Sequence, residues 1–264
     1  MKLVAAKCPS CGASIDVDKD SDSTKCEFCK SKIIVDDAIQ RYKIELSGEV
    51  EVKNLPKADN LMRLADMHYK DQEYDEAYEK YSRACELDPN NAKAILRKGI
   101  CKTLLVNYPK FDIVSAMNAV KNSYNILEKD KENNIEEINK IVADCNNAIV
   151  LTTMKINDYA ATHAPTQDDV IQMNAYLRAC LTNQEYLYSL IINSEGLELA
   201  LYNSMCQTID FFLKPKKMQS SLLNSSGRPI IINFTPGKKQ ILDVNTVRNK
   251  YKVRYNYIMN KRGQ

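Results

Sequence analysis

Four cysteines near the start of the sequence constrain the fold of this chain more than any other feature. Residues 8–29 read CPSCGASIDVDKDSDSTKCEFC: two residues separate Cys8 from Cys11 and Cys26 from Cys29, and fourteen residues separate the two pairs. Two residues between thiols let one tight turn direct both sulfurs at a single ion, and two such turns complete a tetrahedral site. The spacing therefore predicts one structural zinc ion (Zn2+), because four sulfur ligands leave no position for water or substrate.

Two disulfides or a thioredoxin-like redox pair are the alternatives for these cysteines. No βαβ pattern surrounds either pair, as a thioredoxin-like motif requires. The apolar run in MKLVAAKCPSC is shorter than a secretion signal needs, and no stretch approaches the roughly 20 apolar residues that span a bilayer. We therefore expect a cytoplasmic location, no membrane partner and reduced thiols, which favours zinc over disulfides.

A helical repeat pattern begins at Ala58. The segment reads ADNLMRLADMHYKDQEYDEAYEKYSRACELDPNN, with small residues where two antiparallel helices must approach closely and larger ones expected to fill the space beside them. The small positions are Ala65, Ala77 and Ala84, and the larger ones are Leu61, Leu64 and Tyr81. A less regular second unit, AKAILRKGICKTLL, follows from Ala92, with Ile95 and Gly99 in matching positions.

Further helices are expected beyond these units, because about three repeats are needed to bury a continuous core. Apolar residues recur at helical spacing through residues 133–160, and Asp168 and Asp169 open another helix after Pro165. Five single cysteines in this helical sequence are expected to behave as small buried apolar residues. They are Cys85, Cys101, Cys145, Cys180 and Cys206.

Two parts of the chain resemble known families. The cysteine motif CPSCG…CEFC resembles a zinc ribbon, and residues 58–89 resemble a tetratricopeptide repeat (TPR). Together they look like a bacterial or phage-type zinc-ribbon plus TPR protein. The resemblance implies a mainly α fold, in which a TPR-like antiparallel helical array (an α-solenoid) is preceded by a small β zinc ribbon. It also implies a protein–protein interaction scaffold or adaptor that holds another protein or peptide.

The resulting domain prediction has five parts. Residues 1–36 form the zinc ribbon, 37–56 a connector with a short β hairpin, 57–128 the TPR-like repeats, 129–213 diverged helical repeats or a capping bundle, and 214–264 a basic C-terminal segment with a terminal amphipathic helix.

The TPR resemblance also implies which residues face the concave groove of the array. Six residues are expected to contact a partner: Asp59, Met62, Asp66, Tyr69, Lys93 and Leu96. Met62 and Asp66 stand where some relatives carry the Lys and Asn that grip a C-terminal carboxylate, so that binding mode is not expected. The alternative is that this face packs against later helices of the same chain.

Charge is unevenly distributed along the sequence. Residues 210–264 have a net charge of +10 and residues 1–209 a net charge of −7. Apolar residues recurring through 244–258 predict a last amphipathic helix with Asp243 as its N-cap. The helix either caps the array or makes the protein nucleic-acid-associated together with the ribbon. The candidate phosphate contacts are Arg248, Lys250, Lys252 and Arg254. An anionic membrane surface is a weaker alternative, because the apolar stripe is rich in tyrosine.

No catalytic motif accompanies these features, so the sequence does not predict an enzyme. Histidine occurs only at His68 and His163, and neither G-x-S-x-G, H-E-x-x-H nor a phosphate-cradling glycine loop is present. A cysteine hydrolase remains as an alternative, and it requires a reactive thiol among the five helical cysteines.

Overall fold

The chain divides into two units, Met1–Pro56 and Lys57–Gln264. The computed structural model describes residues 3–36, 38–39, 58–107, 109–163 and 165–263. Apart from residues 38 and 39, the predicted connector with its short hairpin lies outside the described residues. Each unit contains its own cluster of buried apolar side chains.

Two antiparallel β hairpins, followed by helical residues at 35–36 and 38–39, make up the described part of the first unit. Strand β1 (Leu3–Lys7) pairs with β2 (Ser14–Asp18), and β3 (Ser23–Lys25) pairs with β4 (Lys32–Ile34). The buried side chains of this unit are Ala6, Cys8, Ile15, Val17, Cys26, Ile33, Val35 and Ala38. So few buried side chains stabilise a fold only weakly, and small units of this kind usually need a further crosslink.

The second unit is an array of helices. Its described helices are α1 (Ala58–Lys70), α2 (Tyr74–Leu87), α3 (Ala92–Leu105), α4 (Ile113–Leu127), α5 (Ile135–Thr162), α6 (Gln167–Ser189), α7 (Glu195–Leu213) and α8 (Lys238–Arg262). Each helix packs on the next along the chain, and α5 also packs on α3 and α7. The predicted mainly α fold, a helical array preceded by small β hairpins, is confirmed.

Small side chains let α1 and α2 approach closely. Ala65 and Ala77 are fully buried beside Tyr81, whose hydroxyl donates a hydrogen bond of 2.6 Å to Asp66. The prediction for Leu64 is wrong, because this side chain is 40% exposed. The buried face of α1 passes through Leu61 and Ala65, four residues apart, and Leu64 lies at its edge.

The contact between α3 and α4 depends on Gly99. A Cβ atom built on Gly99 would lie 2.3 Å from the Cβ of Ala119 and 2.7 Å from the carbonyl oxygen of Ser115. Real Cβ atoms do not approach other heavy atoms so closely, so only glycine fits between these helices. The repeat pattern had placed Gly99 at a position matching the first unit, and the structure supplies the physical reason.

A buried hydrogen-bond network joins α5, α6 and α7. Asn146 of α5 donates to Ser204 at 2.9 Å and accepts from Gln184 of α6 at 3.2 Å. Thr208 of α7 donates to Gln184 at 2.9 Å. Because polar groups in a core cost free energy unless they are paired, this network fixes how the three helices are aligned.

A hairpin separates α7 from α8. Strand β5 (Lys216–Leu223) pairs antiparallel with β6 (Pro229–Phe234), and β5 was not predicted from the sequence. The last helix begins at Lys238, where Gln240 accepts a hydrogen bond of 3.0 Å from the Gly237 N–H. Asp243 therefore lies inside α8, and the prediction that it is the N-cap is wrong.

Candidate functional site

The four N-terminal cysteines converge at one point. Their sulfur atoms all lie within 4.8 Å of one another. The Sγ atoms of Cys8 and Cys29 are 3.7 Å apart, and those of Cys11 and Cys26 are 3.8 Å apart. Each close pair joins the two hairpins, so an ion bound here crosslinks β1–β2 to β3–β4. This cluster can hold a metal ion, and it is the candidate metal centre of the described residues.

Two equivalent turns present the sulfurs. In residues 8–13 the Cys8 N–H donates to Ala13, and in residues 26–31 the Cys26 N–H donates to Ser31, both at 2.9 Å. Gly12 and Lys30 follow the second cysteine of each turn with φ of +75° and +62°. Glycine adopts this left-handed backbone freely and lysine does not, so the second turn is held in a strained conformation.

Hydrogen bonds and sulfur–sulfur contacts shift the acidity of the thiols. The hydroxyl and backbone N–H of Ser31 lower the pKa of Cys29 to about 6. A backbone hydrogen bond from Ala13 favours the Cys11 thiolate, but burial and the three neighbouring sulfurs raise its pKa to about 12. The four sulfurs therefore concentrate negative charge at one point, which is the environment that a divalent cation requires.

Four of the five helical cysteines lack the features of a reactive thiol. Cys101, Cys145 and Cys180 are buried, and burial raises the pKa of each to about 12. Burial also raises the pKa of Cys85. A nucleophilic cysteine needs a lowered pKa and an accessible sulfur, so these four resemble packing residues instead.

The six predicted groove residues have different environments. Lys93 and Asp66 form an ion pair of 2.5 Å, and Leu96 is only 1% exposed. Tyr69 is half-buried, with edge-to-face contacts to two neighbouring tyrosines. Asp59 is exposed, and Met62 packs partly against the core of α1 and α2. The structure thus brings some of the six together, but several serve internal packing.

A pocket of about 480 Å³ lies between α3 and α5. Lys93 and Leu96 of the predicted set line it. The full lining is Ala92, Lys93, Leu96, Arg97, Leu127, Glu137, Lys140, Ile141 and Asp144. We call this pocket the α3–α5 groove. Asp59, Met62, Asp66 and Tyr69 do not line it.

Arg97 is one of the groove residues that were not predicted from the sequence. Its guanidinium lies 2.7 Å from Asp144 of α5 and 4.1 Å from the ring centroid of Tyr69. Burial raises the pKa of Asp144 even though Arg97 opposes that effect. The only signal for Arg97 in the sequence is its place on α3 four residues after Lys93, which puts both cations on one face.

The cations of the groove are compensated within the molecule. Arg97 pairs with Asp144, Lys93 with Asp66, and Lys140 with Glu136 at 3.0 Å. A ligand carboxylate would have to displace one of these pairs.

The basic residues of α8 form ion pairs with α6 and α7. Lys250 lies 3.1 Å from Glu185, Arg254 lies 2.7 Å from Glu198, and Arg248 pairs with Asp210. Two further pairs, Lys261–Glu195 at 2.8 Å and Arg178–Asp243 at 3.8 Å, continue the row. We call these five ion pairs the α8 clasp.

The tyrosines of α8 are also engaged. Tyr251 packs on Tyr188 and Tyr255 on Tyr202, with ring centroids 4.6 Å apart in both pairs. Of the four candidate phosphate contacts, Lys252 is exposed, while the other three belong to the α8 clasp. These contacts favour a capping role for α8. Nucleic-acid binding stays a prediction, and gel retardation at low salt tests it.

The stacked helical hairpins of the second unit are the arrangement found in helical repeat proteins. The family model of the TPR repeat matches residues 65–100, which run from the second half of α1 into α3. Comparison with curated proteins gives no match to this chain. No helix in the described ranges has both the length and the apolar character needed to cross a lipid bilayer.

Proposed function

We propose that this protein is a protein–protein interaction scaffold, in which the α3–α5 groove holds a segment of another protein. The observation that carries the proposal is that the groove opens on α3, a helix within the matched TPR repeat, and is lined by side chains from α3, α4 and α5. TPR repeats generally mediate contacts between proteins. The proposal assigns no catalytic reaction to the chain.

The lining indicates what kind of segment binds. Leu127 supplies apolar surface above the nearly buried Leu96 and Ile141, while Glu137 and Lys140 lie at the exposed side. A short segment with one apolar side chain flanked by polar residues satisfies both parts of this lining. The charged side chains of the groove include both signs. We therefore expect shape and apolar contact to contribute more to the choice of peptide than net charge does.

Peptide selection against the full chain tests this proposal. Peptides enriched from a random library are titrated against the wild type and against the charge reversals Lys140→Glu and Glu137→Lys. Both residues line the groove and are exposed, so their substitution leaves the core intact. We expect each reversal to change affinity by about tenfold. Lys129→Glu, an exposed position outside the groove, is the matched control. If the selected peptides bind both charge-reversal variants with the affinity of the wild type, the groove is not the binding site.

We further propose that the four N-terminal cysteines bind one structural zinc ion. Four Zn–S bonds of about 2.3 Å place their sulfurs about 3.8 Å apart at the corners of a tetrahedron. The two close sulfur pairs, at 3.7 and 3.8 Å, fit that size. When bound, the ion supplies the crosslink that the small apolar core of this unit needs. Thiolate ligands persist in reducing conditions, so a cytoplasmic location belongs to the proposal.

Elemental analysis tests the zinc assignment. Protein purified without added metal should contain one zinc per chain, and the four thiols should resist alkylation until a chelator is added. A metal-free protein with disulfides among Cys8, Cys11, Cys26 and Cys29 would contradict the assignment.

A further inference from the structure

Strand β6 has one edge that no described strand covers. It pairs with β5 in a two-stranded sheet, and the outer edge of β5 is partly occupied because Gln219 donates to the Pro165 carbonyl at 2.8 Å. The three isoleucines of β6 are exposed, with Ile231 at 52%. An unpaired strand edge with β-branched apolar side chains is a template on which an extended peptide adds as a further strand.

The charge around this hairpin has one sign. Between Asp210 and Asp243 the sequence contains six Lys or Arg residues and no acidic residue. Lys216 is buried, and its ammonium donates hydrogen bonds to backbone carbonyls at the end of α7. The other five form no ion pair with any residue in the described ranges. They are Lys214, Lys217, Arg228, Lys238 and Lys239. Within the C-terminal segment, ion pairs therefore compensate four cations of α8, whereas the five cations of the hairpin and its flanks, including the first two residues of α8, have no acidic partner among the described residues.

A second pocket, of about 690 Å³, lies beside the same hairpin. Lys217 of β5 and Ile231 of β6 line it together with Lys214 and Phe211. Among the described residues, no acidic side chain lines this pocket. It can therefore receive a carboxylate or an apolar side chain from a strand lying along the hairpin.

We propose that β6 is a docking edge for an extended acidic segment of a partner protein, which adds to the hairpin as a third strand. Main-chain hydrogen bonds along β6 supply the affinity, and the positive charge of Lys214, Lys217 and Arg228 attracts the carboxylates of the added strand. The hairpin shares no residue with the α3–α5 groove. The docking edge is thus a second surface, and it does not depend on the groove being occupied.

The chemistry of the hairpin favours a peptide over other anionic partners. Its most exposed side chains are aliphatic, including Leu222 at 66%, and its one aromatic residue, Phe234, is partly buried at the end of β6, so the hairpin lacks a row of exposed rings on which bases stack. Its turn, residues 224–228, is polar, and an open strand edge in hydrocarbon leaves backbone groups unsatisfied. Pairing with the β6 of a second copy would bring uncompensated lysines together.

Fluorescence anisotropy with the full chain at low salt tests the docking edge. The probe is a labelled nine-residue peptide that alternates glutamate with valine and is capped at both ends. One analogue replaces glutamate with lysine, and another carries N-methyl groups on its four central peptide nitrogens. The second analogue keeps charge and side chains but lacks the main-chain donors. We expect both analogues to bind at least tenfold more weakly than the probe.

Two matched variants locate the binding surface. Lys217→Glu should weaken binding of the acidic probe by roughly tenfold, and Lys252→Glu, the same charge change on an exposed part of α8, should not. Circular dichroism confirms that each variant keeps its helices.

Three results would contradict the docking edge. The first is that the acidic probe does not bind at all, and the second is that the N-methylated analogue binds as tightly as the probe. The third is that Lys217→Glu and Lys252→Glu weaken probe binding equally. Loss of probe binding in Lys140→Glu would place the peptide in the α3–α5 groove instead. A dimer that Ile231→Lys dissociates, or binding to anionic phospholipid vesicles that Leu222→Ser abolishes, would assign β6 to a different partner.

Discussion

Replacing Gly99 with alanine tests the close contact between α3 and α4. The added methyl group would lie 2.3 Å from the Cβ of Ala119, whereas carbon atoms in contact are normally about 3.5–4.0 Å apart. The second obstacle is the Ser115 carbonyl oxygen at 2.7 Å, a backbone atom that cannot rotate away. The two helices must therefore separate by about 1 Å or more along a buried face.

The expected free-energy change combines two opposing effects. Overpacking a well-packed contact costs about 1–3 kcal/mol, and the backbone clash places Gly99→Ala at the upper end of that range. Alanine favours the helix over glycine by about 1 kcal/mol, which offsets part of the cost. We expect the free energy of unfolding to fall by about 2 kcal/mol, which lowers Tm by about 4–8 °C in a unit of this size.

Thermal and urea unfolding followed by circular dichroism at 222 nm measures this change. Gly196→Ala is the matched control: its added Cβ lies 3.7 Å from Arg262, an ordinary contact, so stability should stay equal or rise by up to about 1 kcal/mol. Combining Gly99→Ala with Ala119→Gly should show a favourable coupling of about 1 kcal/mol, since one clash is removed. If Gly99→Ala is as stable as Gly196→Ala, the packing described for α3 and α4 is incorrect.

Three further substitutions test other parts of the structure. Cys26→Ser should release the bound metal while the helical signal in circular dichroism stays, because the array has its own core; global unfolding would contradict this. Asn139→Ala should cost about 1–2 kcal/mol in urea unfolding, because the side chain pairs with both the N–H and the carbonyl of Ile192. A hydrogen bond from Arg254 holds the pKa of Glu198 below its ordinary value, so this carboxylate stabilises the fold above about pH 4.5 and loses its contribution as pH falls further. Glu198→Gln should therefore cost about 1 kcal/mol at pH 7 and progressively less in acid, and an equal loss at pH 3 would argue against the ion pair.

Sequence patterns predicted those features of the structure that depend on residues close together in the chain. The cysteine spacing predicted the four sulfurs that the structure brings together, because two residues between thiols fix the turn. The buried alanines at Ala65 and Ala77 followed from the repeat, since close helix packing excludes larger side chains. The start of α8 was predicted wrongly, because Asp243 is a typical N-cap residue whereas the actual N-cap, Gly237, has no side chain that marks it in the sequence.

The sequence did not predict which residues form ion pairs when they lie far apart in the chain. The opposite net charges of residues 1–209 and 210–264 can be counted in the sequence. However, the acidic partners of the α8 clasp lie 38 to 66 residues from their cations. No local pattern connects Arg248 to Asp210 or Lys261 to Glu195. In the same way, nothing near Lys216 showed that its ammonium would be buried against α7, where burial lowers its pKa to about 8.

The α8 clasp has a consequence for how the molecule is made. Translation delivers α6 and α7 before α8, so Glu185, Glu195 and Glu198 have no counter-ion while the ribosome extends the chain. We expect these hydrated carboxylates to keep incomplete arrays from sticking to one another. Docking of α8 brings the counter-ions of these three carboxylates, so we expect a chain that stops before α8 to keep them uncompensated.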